Sequence, residues 1–243
     1  MRVIAGIVAA LCVASSASAA WEYNSSSKQA TDGKWILQLH PMPSGGGLQL
    51  GTGTSGGSAI LQMPEDRNLD LSTFHDDTNY RIYGVVQNAF RGTHIASLIA
   101  PDITNINAQA FQNCTNLTRL VFSDNLSDAG NSAFYNCSRL VEFSPAVCQI
   151  SAVSQYLFQY CRKLEIDFVF PRATSILSSA FQYSGVKNVH AERATSISAN
   201  AFNSSSVTNV HAENVTSLGA QAFRDCKNLK SVNFPRCLTI GHT

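Results

Sequence analysis

The tetrapeptide Val189-His190-Ala191-Glu192 recurs as Val210-His211-Ala212-Glu213, 21 residues further on. Imidazole binds transition metals and changes charge near neutral pH. Two imidazoles held one structural repeat apart could share a divalent ion or titrate as a pair. Two His without a fixed third ligand make a weak site, so the favoured reading is a duplicated repeat carrying a duplicated surface ladder, with no metal expected. His75-Asp76-Asp77 sets three donors in a row, but no second His or Cys follows at ligand spacing, and a polar loop is expected there.

Gly51-Thr52-Gly53-Thr54-Ser55-Gly56 matches G-x-G-x-x-G, and Gly53 to Gly57 matches G-x-S-x-G. Both motifs work only between a strand and a helix, where the helix N-terminus or a strained elbow presents the chemistry. Here Gly57-Ser58-Ala59-Ile60 leads into a strand instead, and a hairpin turn accounts for both matches. The acidic pairs Glu165 with Asp167 and Asp76 with Asp77 have no convergent partner. No enzyme and no cofactor are expected.

These residues are positioned by a repeat. Ala-Phe closes at Phe90, Phe111, Phe134, Phe181, Phe202 and Phe223, with Leu157-Phe158 as the variant between. A period of about 20–29 residues marks a solenoid. Four apolar ladders accompany each Phe. Five residues before it stand Val85, Ile106, Ala129, Val153, Ile176, Ile197 and Leu218; three earlier, Ile82, Ile103, Leu126, Ile150, Ala173, Ala194 and Val215. After it come Ile95, Leu117, Leu140, Leu164, Val186, Val207 and Leu229, then Leu98, Leu120, Phe143, Phe168, Val189, Val210 and Val232.

A single such unit cannot bury its own apolar side chains, but units stacked in register can. The segment ending in the last ladder suits a short parallel strand. The residues leading into Ala-Phe, such as Ile106 to Ala110, suit a short helical turn on the convex side. The expected fold is an α/β solenoid: a leucine-rich-repeat-like right-handed superhelix with a parallel strand face and convex helical turns. A small β-rich element precedes it, from the alternation in Trp35–Leu39, Leu48–Leu50 and Ala59–Met63 between Gly/Ser turns.

The pattern Ala-Phe-x-x-Cys-x-x-Leu-x-x-Val-x-Phe-Pro, then Thr-Ser-Ile-x-x-x-Ala-Phe, resembles the BspA-like leucine-rich repeats of bacterial surface proteins. Its best copies run from Ala222 to Ile240 and from Ala110 to Phe122. The resemblance covers Tyr80 to the C-terminus. It implies adhesion to host matrix proteins or to other cells, and a bacterial source.

Met1-Arg2, the apolar run Val3–Val13 and the small residues ending Ala17-Ser18-Ala19-Ala20 have the three parts of a secretory signal peptide. Leu11 before Cys12 is too large for a lipid-attachment site. The expected organisation is 1–19 signal peptide, 20–79 β-rich N-terminal cap or small domain, and 80–243 about seven repeats, the last incomplete. An exported, secreted or cell-surface protein follows. The chain stops where another Ala-Phe is due, which suggests a truncated frame or an open end that docks.

With 14% charged residues and a formal charge of +1, nucleic acid is excluded as a natural partner, and no stretch suits a membrane span. Cys114, Cys137, Cys161 and Cys226 share one repeat position, which Thr93, Ser184 and Ser205 fill elsewhere. Neighbours in register lie about 4.8 Å apart, too far for ordinary disulfide geometry. Small buried side chains are therefore expected, and Cys148 and Cys237 are expected to be unpaired. The candidate binding surface is the strand face: Arg119, Glu142, Asp167, Lys187, Asn188, His190, Asn209, His211, Lys230 and Asn233. Its mixed charge suits a protein or polysaccharide partner, adhesin-like. The alternative is a passive structural spacer or a fragment of a larger surface protein.

Overall fold

The computed structural model describes residues 19–42, 45–53 and 57–241. The expected signal peptide, apart from Ala19, lies outside these residues, as does the Thr54–Gly56 part of the glycine motifs. Strands β1 (Glu22–Asn24), β2 (Gln29–Thr31), β3 (Ile36–Pro41), β4 (Leu48–Leu50), β5 (Ile60–Gln62) and β6 (Asn68–Asp70) come first, followed by helix α1 (Phe74–Thr78). The first three strands and β5 pair antiparallel around β3. Strands β4 and β6 already run parallel to the repeats that follow. Stacked packing thus begins a coil before Tyr80, with Leu50 and Leu69 buried in it.

The next strands are β7 (Ile82–Val85), β8 (Ser97–Ile99), β9 (Asn105–Ile106), β10 (Arg119–Val121), β11 (Asp128–Ala129) and β12 (Glu142–Ser144). A second run comprises β13 (Asp167–Val169), β14 (Ser175–Ile176), β15 (Asn188–His190), β16 (Ser196–Ile197), β17 (Asn209–His211), β18 (Ser217–Leu218), β19 (Ser231–Asn233) and β20 (Thr239–Ile240). From β8 on, each complete coil pairs a three-residue strand with a two-residue strand on another side, except the coil of β12, where the second side is reduced to the bridge Val153↔Ile176. The longer strands carry the last apolar ladder and form the expected strand face, as two four-stranded parallel sheets, β6-β8-β10-β12 and β13-β15-β17-β19. Between them the lengthened repeat leaves only the bridge Val147↔Val169.

The expected helical turns are not there. The first apolar ladder is a second parallel ladder of strands, and the Ala-Phe segment that follows is a run of turns. Two residues per coil are left-handed. Two before the Phe they are Asn88, Gln109, Ser132, Tyr156, Ser179, Asn200 and Gln221, at φ 54 to 61°. Two after it they are Gly92, Asn113, Asn136, Tyr160, Tyr183, Ser204 and Asp225, at φ 55 to 68°.

A left-handed residue costs a non-glycine about 1–2 kcal/mol and interrupts a helix. Hydrogen bonding between coils offsets the cost. The amides of Gln109, Phe111 and Asn113 donate to Asn131, Ala133 and Tyr135 one coil on, at 2.9, 2.8 and 2.8 Å. The alternate amides of Ala110, Gln112 and Cys114 close turns within their own coil. A helix would consume all of these amides internally and leave the coils unlinked on this side.

Inside, the repeat phenylalanines form a continuous stack. Ring centroids from Phe90 to Phe223 are 4.9 to 5.8 Å apart with planes 4–13° from parallel. Phe143 meets Phe134 edge-on at 5.2 Å and Phe158 at 5.3 Å, so the core stays continuous where the sheets are interrupted. At the other end two indoles cover the β6 edge: Trp35 Nε1 donates to Asn68 O at 3.0 Å and Trp21 Nε1 to Asp70 O at 3.1 Å. Edge carbonyls that would otherwise recruit a foreign strand are thereby occupied.

Candidate binding face

In the three-residue strands β8, β10, β12, β13, β15 and β17 the central side chain is buried and its two neighbours point outward, as strand alternation demands. In β19, at the open end, the central Val232 is exposed. In-register pairing then turns each outward position into a column along the solenoid. One column reads Asp167, Asn188, Asn209, Ser231, and the other Val169, His190, His211, Asn233.

The first column is a directed hydrogen-bond chain. Ser231 Oγ donates to Asn209 Oδ1 at 2.7 Å, Asn209 Nδ2 to Asn188 Oδ1 at 2.6 Å, and Asn188 Nδ2 to Asp167 Oδ1 at 2.7 Å. Thr208 Oγ1 also donates to Asn188 Oδ1, at 2.9 Å. Each amide both donates and accepts, so the bonds polarise one another and hold the side chains in one orientation. The chain ends on a carboxylate, which only accepts.

In the second column the His190 and His211 rings stack, with centroids 4.4 Å apart and planes 8° from parallel. His190 is half-buried and His211 exposed. Beyond them Asn233 Nδ2 donates to Glu213 Oε1 at 3.4 Å. Lys187 precedes β15 and reaches Glu165 at 3.5 Å, while Lys230 precedes β19 and is exposed. Arg119 and Glu142 lie on the other sheet and pair with each other, Nε to Oε1, at 2.8 Å. The ten candidate residues thus divide into a pair on one sheet and a cluster of eight on the other. Thr208, Ser231 and Glu213 complete the cluster. The repeat alignment places Ser231 beside Asn209, but nothing in its residue type singles it out.

The remaining chemical candidates are structural. His75 to Asp77 sit on α1 rather than in a loop, and Asp77 Oδ2 accepts from Trp21 N at 3.0 Å and Thr73 Oγ1 at 2.9 Å. The six cysteines of the described residues are free thiols. In the ladder each donates to the preceding coil's Phe carbonyl: Cys114 to Phe90 at 2.9 Å, Cys137 to Phe111 at 3.1 Å, Cys161 to Phe134 at 3.0 Å and Cys226 to Phe202 at 2.9 Å. Burial raises their thiol pKa values, to about 11 for Cys114 and about 12 for Cys161, which removes the thiolate a nucleophile needs. Cys148, bonded to Pro145 O, is likewise pushed by burial to about 12. A cleft of about 460 Å³ beside Tyr23, His75, Tyr80 and Arg81 contains none of the strand-face residues. Among the described residues no helix is long and apolar enough to cross a membrane.

The BspA type leucine rich repeat region matches this chain in six copies, over residues 84–206 and 195–242. Among curated proteins no sequence matches significantly. Two solved structures are similar in fold. A leucine rich cell surface protein from Faecalibacterium prausnitzii A2-165 is 21% identical with a TM-score of 0.64, covering 83% of this chain and 53% of its own. This chain therefore spans about half the length of that protein. The T. pallidum leucine rich repeat protein is 22% identical with a TM-score of 0.63, covering 79% of this chain and 87% of its own. With repeats matched over most of its length and the same stacked architecture, the chain belongs to the BspA-type leucine-rich-repeat family.

Proposed function

We propose that this protein is an exported or cell-surface binding module, adhesin-like, which engages a protein or polysaccharide through the strand face of its solenoid. The observation that carries this reading is the hydrogen-bonded row from Asp167 to Ser231 beside the stacked imidazoles. A face held rigid before contact loses little entropy on binding, and several coils offer repeated polar contacts to an extended partner. The cluster built on Asp167, Lys187, Asn188, His190, Asn209, His211, Lys230 and Asn233 is the principal site, with Arg119 and Glu142 extending it. Residues 1–19 direct export, residues 20–79 cap the first coils, and the repeats from residue 80 carry recognition.

Binding rather than catalysis fits the chemistry, because the site offers amides, imidazoles and paired charges but no activated nucleophile. The test immobilises the full chain and presents host matrix proteins and bacterial envelope polysaccharides in the presence of EDTA. A companion carries Lys187, His190, Asn209 and His211 replaced by alanine. A partner held by the native chain and weakened by about tenfold or more, roughly 1.4 kcal/mol, in the variant supports the proposal. Equal retention by both, or none by either, favours a passive spacer.

A further inference from the structure

His190 and His211 have a geometry that partner binding does not require. They are register partners on β15 and β17, their rings are stacked at 4.4 Å, and neither side chain hydrogen-bonds to any other described residue. All four ring nitrogens therefore remain open to solvent or a ligand. In the same column Val169 lies to one side, offering no competing donor, and Asn233 to the other, tied to Glu213.

We propose that this pair forms an open site for a divalent transition metal of the zinc, nickel or copper class. Imidazole selects these ions over magnesium and calcium. A metal–nitrogen bond of about 2.0–2.1 Å at tetrahedral angles needs the two nitrogens about 3.3 Å apart. The rings lie face to face, 4.4 Å apart and 8° from parallel, with their in-plane lone pairs side by side. Chelation therefore requires a side-chain rotation that opens the stack and turns both ring planes toward the ion, and no side-chain hydrogen bond has to break for that rotation. Parallel strands in register supply the backbone spacing. Among the described residues no group of three His, Cys, Asp or Glu side chains converges as a metal site. The site thus has two protein ligands, and water fills its remaining positions. It is exchangeable rather than structural, unlike closed four-ligand zinc sites.

The test is calorimetric titration of the full untagged chain with zinc or nickel chloride near neutral pH. All proteins carry C226S and C237S, because Cys226 and Cys237 are half-buried rather than fully buried thiols. The expected result is one equivalent bound. Affinity should weaken about tenfold or more in both H190Q and H211Q, stay unchanged in H94Q, and fall on acidification as protons compete for the imidazoles. Unchanged unfolding curves for the two glutamine variants establish that the loss is local. Absence of saturable binding overturns the proposal, as does binding that survives both substitutions. Because partner capture is measured in EDTA, failure of the metal site and failure of the binding-face proposal are distinguishable.

Discussion

The sulfur ladder links successive coils through one side-chain atom at a single repeat position. Each ladder cysteine reaches a Phe carbonyl of the preceding coil, whereas Ser184 in the same position has a buried Oγ with no partner. Thr93 Oγ1 donates to its own coil's Phe90 O at 2.8 Å and Ser205 Oγ meets Cys226 Sγ at 3.7 Å. Ser184 is thus the unsatisfied hydroxyl of this column, and the longer reach of sulfur would carry a thiol there to the preceding coil. We expect S184C to raise the unfolding free energy by about 1 kcal/mol, and C161S to lower it by about as much, in urea titrations under reducing conditions. Protonation gives a second test. Folded-state thiol pKa values raised from 9.0 to about 11 for Cys114 and about 12 for Cys161 favour the protonated, folded form. That contribution is complete below pH 9 and is lost as pH rises through the folded values. Stability above pH 9 should therefore fall less steeply when Cys114 and Cys161 are both serine.

At the scale of elements, the strands were legible and the turns were not. The last apolar ladder follows mostly polar residues and recurs with the repeat, so its strands and their outward columns can be read from the period. The helical reading of the Ala-Phe segment failed because left-handed backbone has no reliable signature in this chain. Asn88, Asn113 and Asn200 tolerate it, but Gln109, Tyr156, Tyr160 and Tyr183 adopt it too. Their conformation is imposed by amides that bond to the next coil, a partner outside any local window. This account predicts that Q109V costs about 1–2 kcal/mol, because a β-branched side chain is forced into φ 59°. Q109G should fall within about 1 kcal/mol of the native chain. Paired thermal and urea unfolding curves check both.

Taken whole, the molecule is one packed column with an interrupted surface. The sheets break between β12 and β13, yet the phenylalanine stack passes through that point, and Phe158 touches Phe134, Phe143, Phe168 and Phe181. F158A should cost about 3–5 kcal/mol and weaken both halves together. Its hydrogen-exchange protection should drop on β8–β12 and on β13–β19 alike.

The candidate site was partly legible at this scale. A strict 21-residue step from Asn188 to Asn209 and from His190 to His211 fixed which side chains share a column. The roles of Ser231 and Thr208 depend on side-chain directions that a period cannot encode. The central claim, that recognition resides in this face, is tested most directly by two double variants compared against a partner retained by the native chain. One carries N188A and N209A on the strand face. The other carries R172A and R193A, exposed residues on the turns that follow β13 and β15. The account predicts a dissociation constant raised about tenfold or more by the first pair and unchanged by the second. Equal affinities for both, or a loss confined to the arginine pair, would contradict it.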